Sequence, residues 1–128
     1  MKFLSEEWLA KHEAKIRESL TPGKACVEMT ELYKECPDGT DKWIYYRIDK
    51  GLLAEIKMGV GADTLPKAGF AGSGKYSSYV LSAKGEIDAV KAISQGHFKF
   101  SGNLLKALPM YPIYAKVNEA KVFPDNEY

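Results

Sequence analysis

The residues with the most obvious chemical potential lie together in Gly69-Phe70-Ala71-Gly72-Ser73-Gly74-Lys75-Tyr76-Ser77-Ser78. Glycines, a lysine and serines are what a loop needs to wrap a phosphate in backbone N–H groups. A phosphate loop of the usual kind runs Gly-x-x-x-x-Gly-Lys-Ser/Thr between a strand and a helix. Here Lys75 is followed by Tyr76, and the stretch lies inside an alternating, strand-like segment, so phosphate binding is not assigned to it. Gly-x-Ser-x-Gly and His-Glu-x-x-His are both absent, and no serine, histidine and acid stand in a recognisable order. Cys26 and Cys36, with only His12 and His97 for company, do not read as a zinc site. They are expected to be reduced thiols, Cys26 as a packed strand residue. Glu55 and Glu86 fall on faces that should be solvated. No catalytic residue, metal ligand or cofactor is therefore assigned, and a non-enzymatic protein is expected.

What remains is a contrast of side-chain size. Phe70, Gly72 and Gly74 share one face of the same strand, so two positions facing one way fill no volume. Protein interiors pack to high density, and something must stand in for the missing side chains. Close approach of another backbone is one answer, often the meaning of glycine in a strand. A cavity for an apolar ligand is the other. The residues alone favour the first.

The elements that would carry these residues read as follows. The chain has 128 residues, 45% hydrophobic and 27% charged, with a formal net charge of +1. A single domain spanning 1–128 is expected, and a near-neutral chain offers no field for nucleic acid. No apolar run approaches the roughly 20 residues of a membrane span. No signal-peptide core or lipidation box is present, so a cytoplasmic location is expected. Ser5 to Leu20 reads as an amphipathic helix, with Ser5 as N-cap, Leu4 and Leu9 as a staple, and Trp8, Leu9, His12, Ile16 and Leu20 as its buried stripe. Strands are expected over Lys24 to Tyr33, Lys42 to Asp49, Leu52 to Val60 and Phe70 to Lys75, with Lys50-Gly51 closing a hairpin. In the second strand Ile44, Tyr46 and Ile48 share a face; in the third, Leu52, Ala54, Ile56, Met58 and Val60 do. Tyr76 to Gln95 reads as a helix divided at Gly85, and His97 to Ser101 as a strand with Phe98 and Phe100 inward. A final helical stretch begins after Gly102-Asn103, is broken by Pro109 and Pro112, and resumes to about Ala120. Strands arriving in a run, with helices between and after them, imply an α+β fold with a mainly antiparallel sheet covered by helices.

Trp43-Ile44-Tyr45-Tyr46-Arg47-Ile48-Asp49-Lys50-Gly51 resembles the aromatic strand and charged-Gly turn of the sterol carrier protein type 2 family, in its stand-alone microbial form. Ala68-Gly69-Phe70-Ala71-Gly72-Ser73-Gly74 is similar to the family's next strand, with Gly69 in place of an acidic residue. Gly85, then Ala89-Val90-Lys91-Ala92-Ile93-Ser94-Gln95-Gly96-His97-Phe98-Lys99-Phe100-Ser101-Gly102-Asn103, carries the most specific part of the likeness, followed by Leu105-Lys106-Ala107-Leu108. The resemblance implies a five-stranded sheet and helices enclosing an apolar tunnel for fatty acyl chains, sterol-like or isoprenoid lipids. The positions it implies for the lining are Tyr46, Ile48, Ile56, Met58, Phe70, Phe98, Phe100, Leu104, Leu108, Tyr111, Ile113 and Tyr114, and within that lining Gly72 and Gly74 depart from the family pattern and change the shape of the cavity. Tyr46, Tyr111, Tyr114 and His97 could meet a head group. The implied partner is a small apolar lipid, carried without chemistry. Presentation of a lipid intermediate to a partner enzyme, transient membrane contact and a small enzyme with an unrecognised site remain alternatives, and the oligomeric state is open.

Overall fold

The computed structural model describes residues 1–102 and 108–128. The helical stretch expected over 103–107, including Leu104, lies outside them.

Helix α1 spans Glu6–Ser19, and Ser5 caps it by accepting a hydrogen bond from the Trp8 amide at 3.2 Å. Its buried stripe is Trp8, His12 and Ile16, continued by Leu20, while Leu9 is only half-buried. Strands β1 (Val27–Lys34), β2 (Lys42–Asp49) and β3 (Leu52–Val60) form an antiparallel meander. Lys50 and Gly51 take φ of 51° and 80°, the pair of positive values that a tight type I′ turn needs. A side chain at Gly51 would meet the Gly23 backbone nitrogen at 2.6 Å, so glycine is required there twice over.

Two expectations change in this region. The register of β3 slips opposite Arg47 and Ile48, so that Ile48 pairs with Leu53 and Arg47 with Glu55. Ala54 is the extra residue, and a bulge inverts the alternation before it. Leu53 therefore faces the core, and Leu52 is 41% exposed. Cys26 is exposed, because β1 begins only at Val27, and Cys36 is the buried thiol.

Strand β4 (Phe70–Lys75) pairs in parallel with β1, and β5 (Phe98–Gly102) pairs antiparallel with β4. The sheet thus has five strands in the order β3-β2-β1-β4-β5, mixed but mostly antiparallel. Helices α2 (Tyr76–Ala83) and α3 (Ala89–Ser94) follow β4, parted at Gly85 with φ of 74°. A 3-10 turn at Leu108–Met110 leads into α4 (Tyr111–Glu119), whose first turn holds Pro112. The helix expected to resume after the prolines does so, and Pro112 sits where its missing N–H costs nothing.

The four described helices lie toward one face of the sheet: α1 contacts β3 and α4, α2 contacts β4 and β1, and α3 contacts β5. On the other face Leu32, Trp43 and Tyr45 form a small cluster with Leu65, and the Trp43 indole donates to Thr64 Oγ1 at 3.0 Å. The segment between β3 and β4 thus crosses the back of the sheet as a strap. Such a crossing is what lets β4 lie parallel to β1 beside it.

Candidate functional site

The helix-covered face carries a cavity of about 500 Å³ over its β1-β4-β5 side. Its wall is built from Met29 and Glu31 on β1, Phe70 and Gly72 on β4, Phe98 and Phe100 on β5, Ile93 on α3, and Leu108, Met110, Tyr111 and Tyr114 at the start of α4, with Thr30 contributing beside Met29. Alternation puts Met29 and Glu31, Phe70 and Gly72, and Phe98 and Phe100 on a single sheet face. Cross-strand register brings them level: Met29 faces Phe70, Glu31 faces Gly72, and Gly72 faces Phe100. The aromatic side chains are mutually braced. Phe100 meets Tyr114 edge-on at 5.2 Å, Tyr79 stacks on Phe98 at 4.3 Å, and Tyr33 lies 3.9 Å from Tyr79. Ile93 and Leu108, 37% and 70% exposed, mark the side on which the cavity meets solvent.

The two glycines have different fates. A Cβ on Gly72 would come within 2.8 Å of the Phe100 ring, and one on Gly74 within 2.8 Å of both the Phe98 ring and the His97 carbonyl. Aromatic rings from β5 fold over both, so most of the missing volume is filled by the neighbouring strand. Gly72 still forms part of the cavity wall; Gly74 does not.

The other positions named from sequence are distributed by strand order. Phe70, Phe98, Phe100, Leu108, Tyr111 and Tyr114 line the cavity. Tyr46 and Ile48 point to the correct face but lie on β2, where α1 covers them and they are fully buried in the core. Ile56 and Met58 sit on the edge strand β3, and Ile113 packs against the same core. Ile48 also borders a second, more polar cleft of about 690 Å³ that shares Phe70 and Met110 with the cavity. His97 is held by the Ser78 hydroxyl at 3.1 Å and does not reach the cavity.

At the β1 side the apolar wall gives way to a buried polar network. Glu31 is 2% exposed and accepts hydrogen bonds from Tyr46 at 2.6 Å, Tyr33 at 3.1 Å and the Lys121 ammonium at 2.7 Å. Behind Tyr46, His12 Nδ1 donates to the Ala120 carbonyl at 2.9 Å, leaving Nε2 to compete with Glu31 for the Tyr46 proton at 2.9 Å. Burial, and secondarily the Lys121 charge, lower the His12 pKa to about 3, so the ring is neutral. Burial also lowers Lys121, against the pull of Glu31. Tyr33, Tyr46, Tyr79 and Tyr114 are all pushed well up, first by burial and then by the Glu31 charge, and remain protonated donors. The hydroxyls of Tyr111 and Tyr114 have no hydrogen-bond partner of normal geometry among the described residues, although Tyr114 lies close enough to Glu31 to feel its charge.

Glu31 and Lys121 were not singled out from sequence. The available signal was a lone acid within the face that runs Val27, Met29, Glu31, Tyr33; its partner 90 residues away carried none. Among the described residues no group of His, Cys, Asp or Glu gathers to hold a metal ion, and no helix is long and apolar enough to cross a membrane.

A mixed sheet in this order, covered on one face and hollow at one end, has counterparts among solved structures. The crystal structure of sterol carrier protein 2 superposes with a TM-score of 0.77 at 13% identity, covering 91% of this chain and 95% of that one. This is the sterol carrier protein 2 fold. A conserved hypothetical protein from Thermus thermophilus, suggested to be a sterol carrier protein, matches with a TM-score of 0.67 at 11% identity, over 94% of this chain and 91% of its own. The palmitated SCP2L2 of Aedes aegypti matches with a TM-score of 0.60 at 14% identity, over 87% and 92%. No family model matches the sequence, and no curated protein does. Identity this low carries the sterol carrier protein 2 architecture and leaves the side chains of the cavity to be read on their own terms.

Proposed function

We propose that the protein binds and carries elongated apolar molecules in the cavity between β1, β4, β5 and α4, without transforming them. The observation that supports this most directly is a mostly apolar hollow of about 500 Å³ walled by Phe70, Phe98, Phe100, Met29 and Met110. Interiors seldom leave such a space without an occupant, and apolar pockets of this size suit small ligands. The shared architecture points the same way, since one solved structure with this fold is palmitated. Sheathing about ten methylenes at ~0.8 kcal/mol each yields roughly 8 kcal/mol before association costs. Micromolar binding is then expected, suited to a carrier that must also release its load. Exposed Val90, Ile93 and Leu108 give the loading side an apolar approach. The polar network at the far side has its acid and ammonium committed to each other, so the groups it offers an occupant are phenols.

The test is native mass spectrometry of freshly purified protein, then organic extraction and identification of what was bound. A co-purifying lipid, and displacement of a fluorescent apolar probe by unlabelled lipids, are the expected results. Protein that emerges empty and takes up neither lipid nor probe would refute the reading.

A further inference from the structure

The cavity is not uniformly apolar: beside Thr30 and Glu31, its described lining carries two phenols, Tyr111 and Tyr114. Tyr111 and Tyr114 lie three residues apart in α4, a spacing that puts both on one face of the helix. Both line the cavity beside Glu31. Both hydroxyl oxygens are shut away from solvent; that of Tyr111 has no hydrogen-bond partner among the described residues, and that of Tyr114 has only a poorly aligned approach to the already crowded Glu31 carboxylate. Buried polar groups in folded proteins are nearly always hydrogen-bonded. Tyr111 is an exception, Tyr114 is served only by an acceptor that three other donors already share, and both open on one hollow, which indicates that a better partner arrives with whatever fills it. Each phenol has one proton to donate.

The charges nearby restrict what that partner can be. Glu31 already accepts from Tyr33, Tyr46 and Lys121, and Lys121 is fully buried and spent on Glu31. No Lys, Arg or His stands among the described lining residues. A ligand carboxylate at this end would lie near a second anion, with no free cation among the described lining residues to meet it, and burying an unpaired charge is far more costly than burying a neutral oxygen.

We propose that Tyr111 and Tyr114 recognise an uncharged oxygen, a hydroxyl or a ketone or ester carbonyl, at one end of a long apolar molecule, and that the adjacent Glu31–Lys121 pair disfavours free carboxylates. Long-chain alcohols, ketones and esters, and ring alcohols of similar length, are the ligand class. This deepens the carrier reading and rests on it.

The experiment is displacement of a bound, uncharged fluorescent probe by 1-dodecanol, 2-tridecanone, dodecane and dodecanoate, at a pH where the last is ionised. Dodecanol and tridecanone should bind about tenfold more tightly than dodecane or dodecanoate, the worth of one good hydrogen bond. Tyr111→Phe deletes an oxygen with no partner among the described residues, so its melting should hold; in it and in Tyr114→Phe the preference for alcohol and ketone over dodecane should shrink. Equal binding of dodecanol and dodecane, dodecanoate binding as tightly as dodecanol, or a preference that survives both variants overturns the head-group assignment while leaving an apolar carrier. Failure of all four to displace the probe overturns the carrier reading and this inference with it.

Discussion

The two sides of the covered sheet face obey the same alternation and end in opposite states. Over β2 and β3, α1 lays Trp8 and Ile16 onto Ile44, Tyr46 and Ile48, and none of these is more than 1% exposed. Over β4 and β5 the corresponding inward positions are Phe70, Gly72 and Gly74, then Phe98 and Phe100, and a cavity opens among them. Period-two alternation decides which way a side chain points. The size of what points there decides whether the space is filled. β1 is the seam between the two sides, and of its inward residues Val27, Met29, Glu31 and Tyr33 it is Glu31 that is tied to Lys121 just beyond α4.

Breaking that seam should give the largest effect. Lys121→Met strands a carboxylate in the interior and should cost about 3–5 kcal/mol by urea unfolding. Adding Glu31→Gln should recover part of the loss; a neutral single variant would mean that the pair does not hold the halves together. Next, Ile44→Ala should cost about 2–5 kcal/mol, as a new void in dense packing does. Phe100→Ala should cost less, because its ring already borders empty space. Equal losses would show two equally packed halves.

Acid probes the solid side through His12. Its folded pKa of about 3 lies below the ordinary 6.5, so the unfolded chain takes up the proton first. Stability should be complete above about pH 6.5 and fall by about 1.4 kcal/mol per pH unit as pH drops toward 5. The slope should flatten in His12→Gln, and its persistence there would place the sensitivity elsewhere. The smallest contrast compares two glycines. A methyl at Gly59 would run into the Trp43 indole, which is held by Thr64 and packed with Leu32, Tyr45 and Leu65. A methyl at Gly72 meets Phe100, which can swing into the cavity. Gly59→Ala should therefore cost about 1–3 kcal/mol. Gly72→Ala should cost less than that but reduce ligand uptake, and the reverse order would contradict the hollow.

Local rules made much of the architecture legible. Ser5 marked the start of α1, Lys50-Gly51 the hairpin, Gly85 the division between α2 and α3, and Pro112 the start of α4. Inward faces were also legible: Tyr46, Ile48, Phe70, Phe98 and Phe100 all point to the helix side. Where along the sheet each one lands was not, because strand order is a long-range property. That is why Tyr46 and Ile48 belong to the solid core while Met29 and Met110 wall the cavity. The Ala54 bulge escaped because Leu52 and Ala54 continue a plausible alternation, and only pairing with β2 reveals the slip. Glu31 left one trace, a lone acid on an inward strand face, and its partner Lys121, 90 residues away, left none.

The strap behind the sheet has a consequence for how the molecule assembles. β1, β2 and β3 are joined by short turns, so their pairing closes small loops at little entropic cost. Met29 can meet Phe70 only after the chain has run through β2, β3 and the crossing held by Trp43, Thr64 and Leu65. Topology of this kind slows the steps that join distant segments. The meander and α1 thus have a head start in folding, and the β1–β4 seam closes late. A seam that is last to close is also the natural place for the native protein to open briefly, and it forms one wall of the cavity. An occupant bridging β1, β4 and α4 would slow that opening, so the protein with its cavity filled should unfold more slowly than with it empty.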